Sequence, residues 1–163
     1  MIEDVLDISK IESNTLAFVL ANHEMEALMK DIYSVILLRM SENVELRLDD
    51  CQPFTLYTDR SRLTQVLTNL LTNAIKHTKK GYICFGYDVT EQEIRFYVTD
   101  TGEGIPDDQL ERVFDRFVKL TEWTNGVGLG LAISKALVTK LGSRIEVTSK
   151  QGVGSTFSVI FPR

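Results

Sequence analysis

Three places in the chain carry residue types that can hold a nucleotide. Residues 126–131 read GVGLGL, with Gly126, Gly128 and Gly130 on alternate positions and the apolar run LAISKALV directly after them. Glycine costs a helix about 1 kcal/mol relative to alanine, so three at a helix start point to a need for bare backbone. A helix N-terminus offers unpaired N–H donors and the positive end of a dipole, which is the chemistry of a phosphate site; an ordinary glycine-rich turn is the other reading. Two common phosphate loops do not apply, because no GxxxxGK[ST] occurs and the glycines are not spaced GxGxxG after a strand.

The second place is RLTQVLTNLLTNAIKHT, which has the periodicity of a helix. Wound as a helix, it gathers Leu63, Leu67, Leu70, Leu71, Ala74 and Ile75 on one side and Asn69, Asn73, Lys76 and His77 on the other. Asparagine is a poor helix former, so two of them one turn apart invite a reason. An amide oxygen there could coordinate Mg2+, a hard ion that shares its oxygen ligands with phosphates, and Lys76 could meet the same phosphates; a solvated polar face is the alternative. The third place is Asp100, which shares strand parity with Ile94, Phe96 and Val98 and so points its carboxylate to the apolar side. A carboxylate there needs a donor, either the N–H groups of its own DTGEG turn or the amine of a bound ligand.

Other chemistries are absent from the sequence. His23 and His77 are isolated from any zinc-like spacing, and no nucleophile elbow with a Ser, His and Asp set is present. Cys51 and Cys84 are widely spaced and fit reduced thiols in a cytosolic setting. A net charge of -5 over 163 residues, 44% of them hydrophobic, argues for one domain with a real core and against a nucleic-acid binder. No apolar run is long enough to span a membrane, so the piece is expected to be soluble, without membrane contact.

The elements that must position these residues read in order. MIEDVLDISKIE carries a helical stripe, TLAFVLA reads as a short strand, and HEMEALMKDIYSVILLRM repeats apolar residues at helical spacing up to about Met40. NVELRL and FTLYT follow as strands, then a helix from about Asp59 to Lys79, stopped by Gly81. YICFGYDV and EIRFYVTD form a hairpin around Thr90 to Gln92; the loop DTGEGIP, a short helix DDQLERVF, the linker VKLTEWTN, the helix after GVGLGL and a final strand pair RIEVTS and GSTFSVIF complete the chain. Interleaved strands and helices predict a mixed sheet with helices on one face.

Taken in order, NLLTNAIKHT, DTGEGI, FDRF, GVGLGL and GSTF resemble the N, G1, F, G2 and G3 boxes of the sensor histidine kinases. The resemblance implies the Bergerat fold, an α+β two-layer sandwich in which ATP lies between the helices under a mobile lid. It makes Asn73 the principal Mg2+ ligand and places Asn69 near the ion and phosphates. Lys76 would meet phosphate oxygens, and the three form the implied catalytic set. Asp100 would take the adenine amino group, Gly102 and Gly104 would make room for the base beside Ile105, and His77 stands where the family carries Phe or Tyr. Phe114 and Phe117 would anchor the lid, with Lys119 beside them. Gly126, Val127, Gly128, Leu129, Gly130 and Leu131 would meet the triphosphate, Val127 replacing a usual Thr, and Thr156 of the last box would line the site. Trp123, in the linker, is expected to report lid closure.

The resemblance also implies partners. Residues 1–14 look like the end of the family's dimerization helix and 15–163 like its catalytic domain. The acceptor histidine is expected on a dimerization domain outside this chain, His23 being a decoy, with relay to a response regulator. The setting implied is the cytoplasmic part of a membrane-anchored sensor. Related ATPases carry a water-activating glutamate one turn before the metal asparagine, where this chain has Asn69. Anti-sigma serine kinases share the fold but not the dimerization-helix remnant, and a nucleotide-sensing module without catalysis is the reading from another class.

Overall fold

The computed structural model describes residues 6, 9–11, 13, 16–115 and 130–163. A two-stranded antiparallel ribbon joins β1 (Ala21–Glu24) to β3 (Thr55–Thr58). The main sheet has five strands, β2 (Val44–Leu48), β4 (Gly81–Val89), β5 (Glu93–Asp100), β6 (Arg144–Lys150) and β7 (Gly154–Pro162), in the order β2-β4-β5-β7-β6. Among the described residues only the β2–β4 pair is parallel, so the sheet is mixed as expected. Helices α1 (Met25–Leu37), α2 (Arg60–His77) and α3 (Gly130–Lys140) pack against it.

Side-chain period explains which face they cover. Along β5 burial alternates, with Ile94, Phe96, Val98 and Asp100 buried and the residues between them half-exposed. The inner set meets the helices, where α1 contributes Met25, Leu28, Met29, Ile32 and Ile36 at helical spacing and α2 contributes Leu63, Val66, Leu67, Leu70, Leu71 and Ala74. Ile75, placed on the apolar side by the sequence, is half-buried, and Val66 is fully buried instead. The outer face carries ion pairs such as Arg47–Glu45 at 2.8 Å and Arg144–Glu146 at 2.9 Å, which contribute little individually. There Asp49 accepts hydrogen bonds from Tyr97 and Cys84, and burial pushes the Cys84 thiol up to about 11, so it stays protonated at neutral pH.

Four elements differ from the sequence reading. Within TLAFVLA, residues 16–20 are not a strand: they lie outside any ladder, while Leu16 and Phe18 pack on the core. The strand begins at Ala21, and His23 belongs to it, facing Leu56 across the ribbon. The helix therefore starts at Met25, whose N–H donates to the Phe54 carbonyl at 2.8 Å, and it ends at Leu37, short of Met40. The segment DDQLERVF forms a 3-10 turn over Asp107–Arg112 and not an α-helix. Asp59 is not the first residue of α2 but its cap: one carboxylate oxygen accepts from Arg62 N at 3.0 Å and the other from Val19 N at 2.9 Å. Such a cap stabilises a helix by about 1 kcal/mol.

Candidate functional site

The polar side of α2 forms the spine of the site. Asn69, Asn73 and His77 are half-buried and Lys76 is exposed, spread over about 12 Å of helix axis at 1.5 Å per residue. At one end, the Asn69 Nδ2 lies 3.3 Å from the Gly130 carbonyl oxygen and 3.3 Å from the Ser134 hydroxyl, which ties α2 to the first turn of α3. Gly130, the last glycine of GVGLGL, starts α3, and a Cβ there would meet nothing within 4 Å among the described residues. Leu131 is half-buried and packs on the core. Phe117, Lys119, Trp123, Gly126, Val127, Gly128 and Leu129 lie outside the described residues. Phe114 lies edge-on to Phe157, ring centroids 6.0 Å apart, with the Lys135 ammonium 5.8 Å from its ring centre.

At the other end, the DTGEG loop is anchored to α2 through main chain. The His77 carbonyl accepts from Glu103 N at 3.3 Å, and a Cβ on Gly102 would come within 2.2 Å of that same oxygen. Gly104 has φ +72° and would put a Cβ 2.2 Å from the Lys150 carbonyl. Both glycines are therefore required by the approach of protein backbone. Ile105 is buried in the core, its N–H donating to the Ser149 hydroxyl at 2.7 Å.

Asp100 ends β5 on the inner face and is 6% exposed. Burial raises its carboxyl above the ordinary carboxylate range, and hydrogen bonds from the Gly102 and Ser155 N–H groups draw it part of the way back. The Gly102 N–H to Asp100 Oδ1 distance is 2.9 Å, so the local turn and the inward aspect coexist in one residue. A carboxylate with backbone donors and little water around it is a strong acceptor for an amine.

Thr156 does not join Asp100. It lies opposite Thr99 in the β5–β7 ladder, their hydroxyls 3.0 Å apart, and directly opposed residues share a face, here the outer one. The residue opposite Asp100 is Ser155, which is 7% exposed and whose hydroxyl sits 2.8 Å from that of Ser149. Sequence reasoning missed Ser155, Ser149 and Ser134. The signal for Ser155 is parity with Asp100, legible only once the register is known; for Ser134 it is the i+4 spacing from Gly130.

His77 carries a pH signature. Burial, helped by the neighbouring Lys76, lowers its pKa from 6.5 to about 4. Folding therefore excludes a proton that the unfolded chain binds, so its contribution to stability is complete above the unfolded value of 6.5 and is lost as pH falls toward about 4. His77→Phe, which cannot titrate, is expected to flatten the urea midpoint against pH across that window. An unchanged pH profile would assign the acid sensitivity to other groups.

Among the described residues no group of three His, Cys, Asp or Glu side chains could hold a metal, and no helix is long and apolar enough to cross a membrane. The amide oxygens that Asn69 and Asn73 carry on α2 are hard neutral donors, a type that suits Mg2+, which uses few protein ligands.

Comparison with known proteins bears on the family and the fold. Residues 58–163 match the family described as Histidine kinase-, DNA gyrase B-, and HSP90-like ATPase. The chain is 32% identical to the sensor protein SrrB of Staphylococcus aureus over its whole length, and spans 29% of the length of that relative. Its fold superposes on full-length ShkA in complex with AMPPNP with a TM-score of 0.88 at 31% identity, covering 96% of this chain and 34% of ShkA. It superposes on the Acinetobacter baumannii histidine kinase AdeS with a TM-score of 0.82 at 25% identity, covering 99% of this chain and 76% of AdeS. In sequence over residues 58–163 and in fold alike, the chain belongs to that ATPase family, as the ATP-binding catalytic domain of a sensor histidine kinase.

Proposed function

We propose that the domain transfers the γ-phosphoryl group of ATP to a histidine on a separate dimerization domain, for relay to a response regulator. In that step an imidazole nitrogen bonds to the γ-phosphorus, the bond to the β–γ bridging oxygen breaks, and ADP leaves. The observation that carries the reading is Asn69, held by Gly130 and Ser134 where related ATPases place a water-activating glutamate. An amide is no base, so nothing at this position activates water, and the nucleophile is left to the acceptor domain. Asp100 would receive the adenine amino group, and Asn69, Lys76 and the bare backbone at Gly130 would face the phosphates. Asn73 would offer its amide oxygen to Mg2+, whose charge, when bound, offsets that of the phosphates. Residues 1–14 are read as the end of the dimerization helix, and the parent protein as a membrane-anchored sensor with this part in the cytoplasm.

The test is phosphoryl transfer from γ-labelled ATP. The chain alone is expected to remain unlabelled, His23 included, and to label a supplied dimerization domain that carries the acceptor histidine. Acid-labile phosphate on His23 would overturn the assignment of an external acceptor. Nucleotide binding without label on any supplied acceptor would favour a sensing module, and steady phosphate release with no acceptor present would favour an ATPase.

A further inference from the structure

We infer that Ser134 is a positioning residue that sets which end of the Asn69 amide faces the nucleotide. Ser134 is completely buried on the inner side of α3. Its hydroxyl donates its single proton to the Gly130 carbonyl, one turn back, at 2.9 Å, as serines inside helices often do. That leaves only lone pairs on Ser134 Oγ, and the Gly130 carbonyl offers only lone pairs as well. Asn69 meets both, at 3.3 Å each. Two acceptors side by side demand an amide nitrogen, since a flipped amide would set its oxygen against theirs. The Asn69 Oδ1 is therefore held on the side of the amide turned away from these acceptors, as a lone-pair end available to a cation or to its water shell. An amide free to flip would present N–H donors there for part of the time, which Mg2+ cannot use.

The same contacts register α3 on α2. Gly130 is both the acceptor in this triangle and the end of the glycine stretch, so Ser134 holds the helix N-terminus against the polar stripe that carries Asn69 and Asn73. This inference rests on the reading of that stripe as the phosphate end of an ATP site.

Calorimetry on the whole chain separates the possibilities, with Mg-ATP and adenosine as ligands and Ser134→Ala, Asn69→Ala and the double variant as proteins. Loss of one neutral hydrogen bond predicts that Ser134→Ala binds Mg-ATP about 2- to 10-fold more weakly. Adenosine affinity should be unchanged. Because the effect passes through Asn69, the double variant should bind Mg-ATP no more weakly than Asn69→Ala alone. Equal weakening for adenosine would show a merely structural role and overturn the inference, as would a Ser134→Ala penalty that persists in full in the Asn69→Ala background. In the unmutated protein the Asn69 side-chain N–H resonances should be protected from solvent exchange, and unprotected ones overturn the inference whatever the variants do. Failure of the unmutated chain to bind Mg-ATP would instead remove the reading of the site itself.

Discussion

Asp100→Asn is expected to bind ATP about 10- to 150-fold more weakly, the equivalent of the 1.5 to 3 kcal/mol that a hydrogen bond to a charged group contributes. The substitution keeps the shape and replaces one acceptor oxygen with a donor, which would face the adenine amine. The fold should not suffer. Asp100 is buried with its carboxyl raised above the ordinary range, so ionisation there opposes folding: its favourable contribution to stability exists below the unfolded pKa and is lost as pH rises through the folded one. The neutral Asn removes that cost, and the urea midpoint at pH 7 should hold or rise while affinity falls. Binding has the opposite sign. The amine needs the ionised form, so ATP affinity of the unmutated chain should decline with falling pH at a higher pH than for an ordinary aspartate. Unchanged affinity in Asp100→Asn, by calorimetry, would sink the adenine assignment.

Gly104→Ala is expected to destabilise the domain by at least about 2 kcal/mol, a fall in Tm of about 4 to 8 °C, because it forces a side chain into a left-handed conformation. The backbone has φ +72° and the new Cβ would lie 2.2 Å from the Lys150 carbonyl, so the loop that follows Asp100 must shift. ATP affinity should fall with it. Gly130→Ala is the counterpart with the reverse pattern. Nothing among the described residues lies within 4 Å of a Cβ there, and alanine is favoured over glycine in a helix by about 1 kcal/mol, so Tm should hold or rise. Mg-ATP affinity should nonetheless drop, with adenosine affinity retained, if the bare backbone serves the phosphates. A Gly104→Ala protein with the original Tm, or a Gly130→Ala protein with the original Mg-ATP affinity, would contradict the respective account.

Local periodicity determined much of this protein. The inward aspect of Asp100 follows from its parity with Ile94, Phe96 and Val98, and the two sides of α2 follow from 3.6 residues per turn, because both depend only on neighbours in the chain. The paired glycines of DTGEG were likewise visible as places of close approach. What approaches them was not: Gly102 accommodates the His77 carbonyl and Gly104 the Lys150 carbonyl, contacts made by segments about 25 and 46 residues distant in sequence. The strand at Ala21–Glu24 displaced the one expected over TLAFVLA because a strand exists only where a partner pairs with it, and Thr55–Thr58 pairs with the later residues. Ser155, and not Thr156, stands beside Asp100 for the same reason. Alternation says that neighbours in a strand face opposite ways, but only the register of β7 on β5 decides which of the two shares a face with the carboxylate, and a shift of one residue would exchange them.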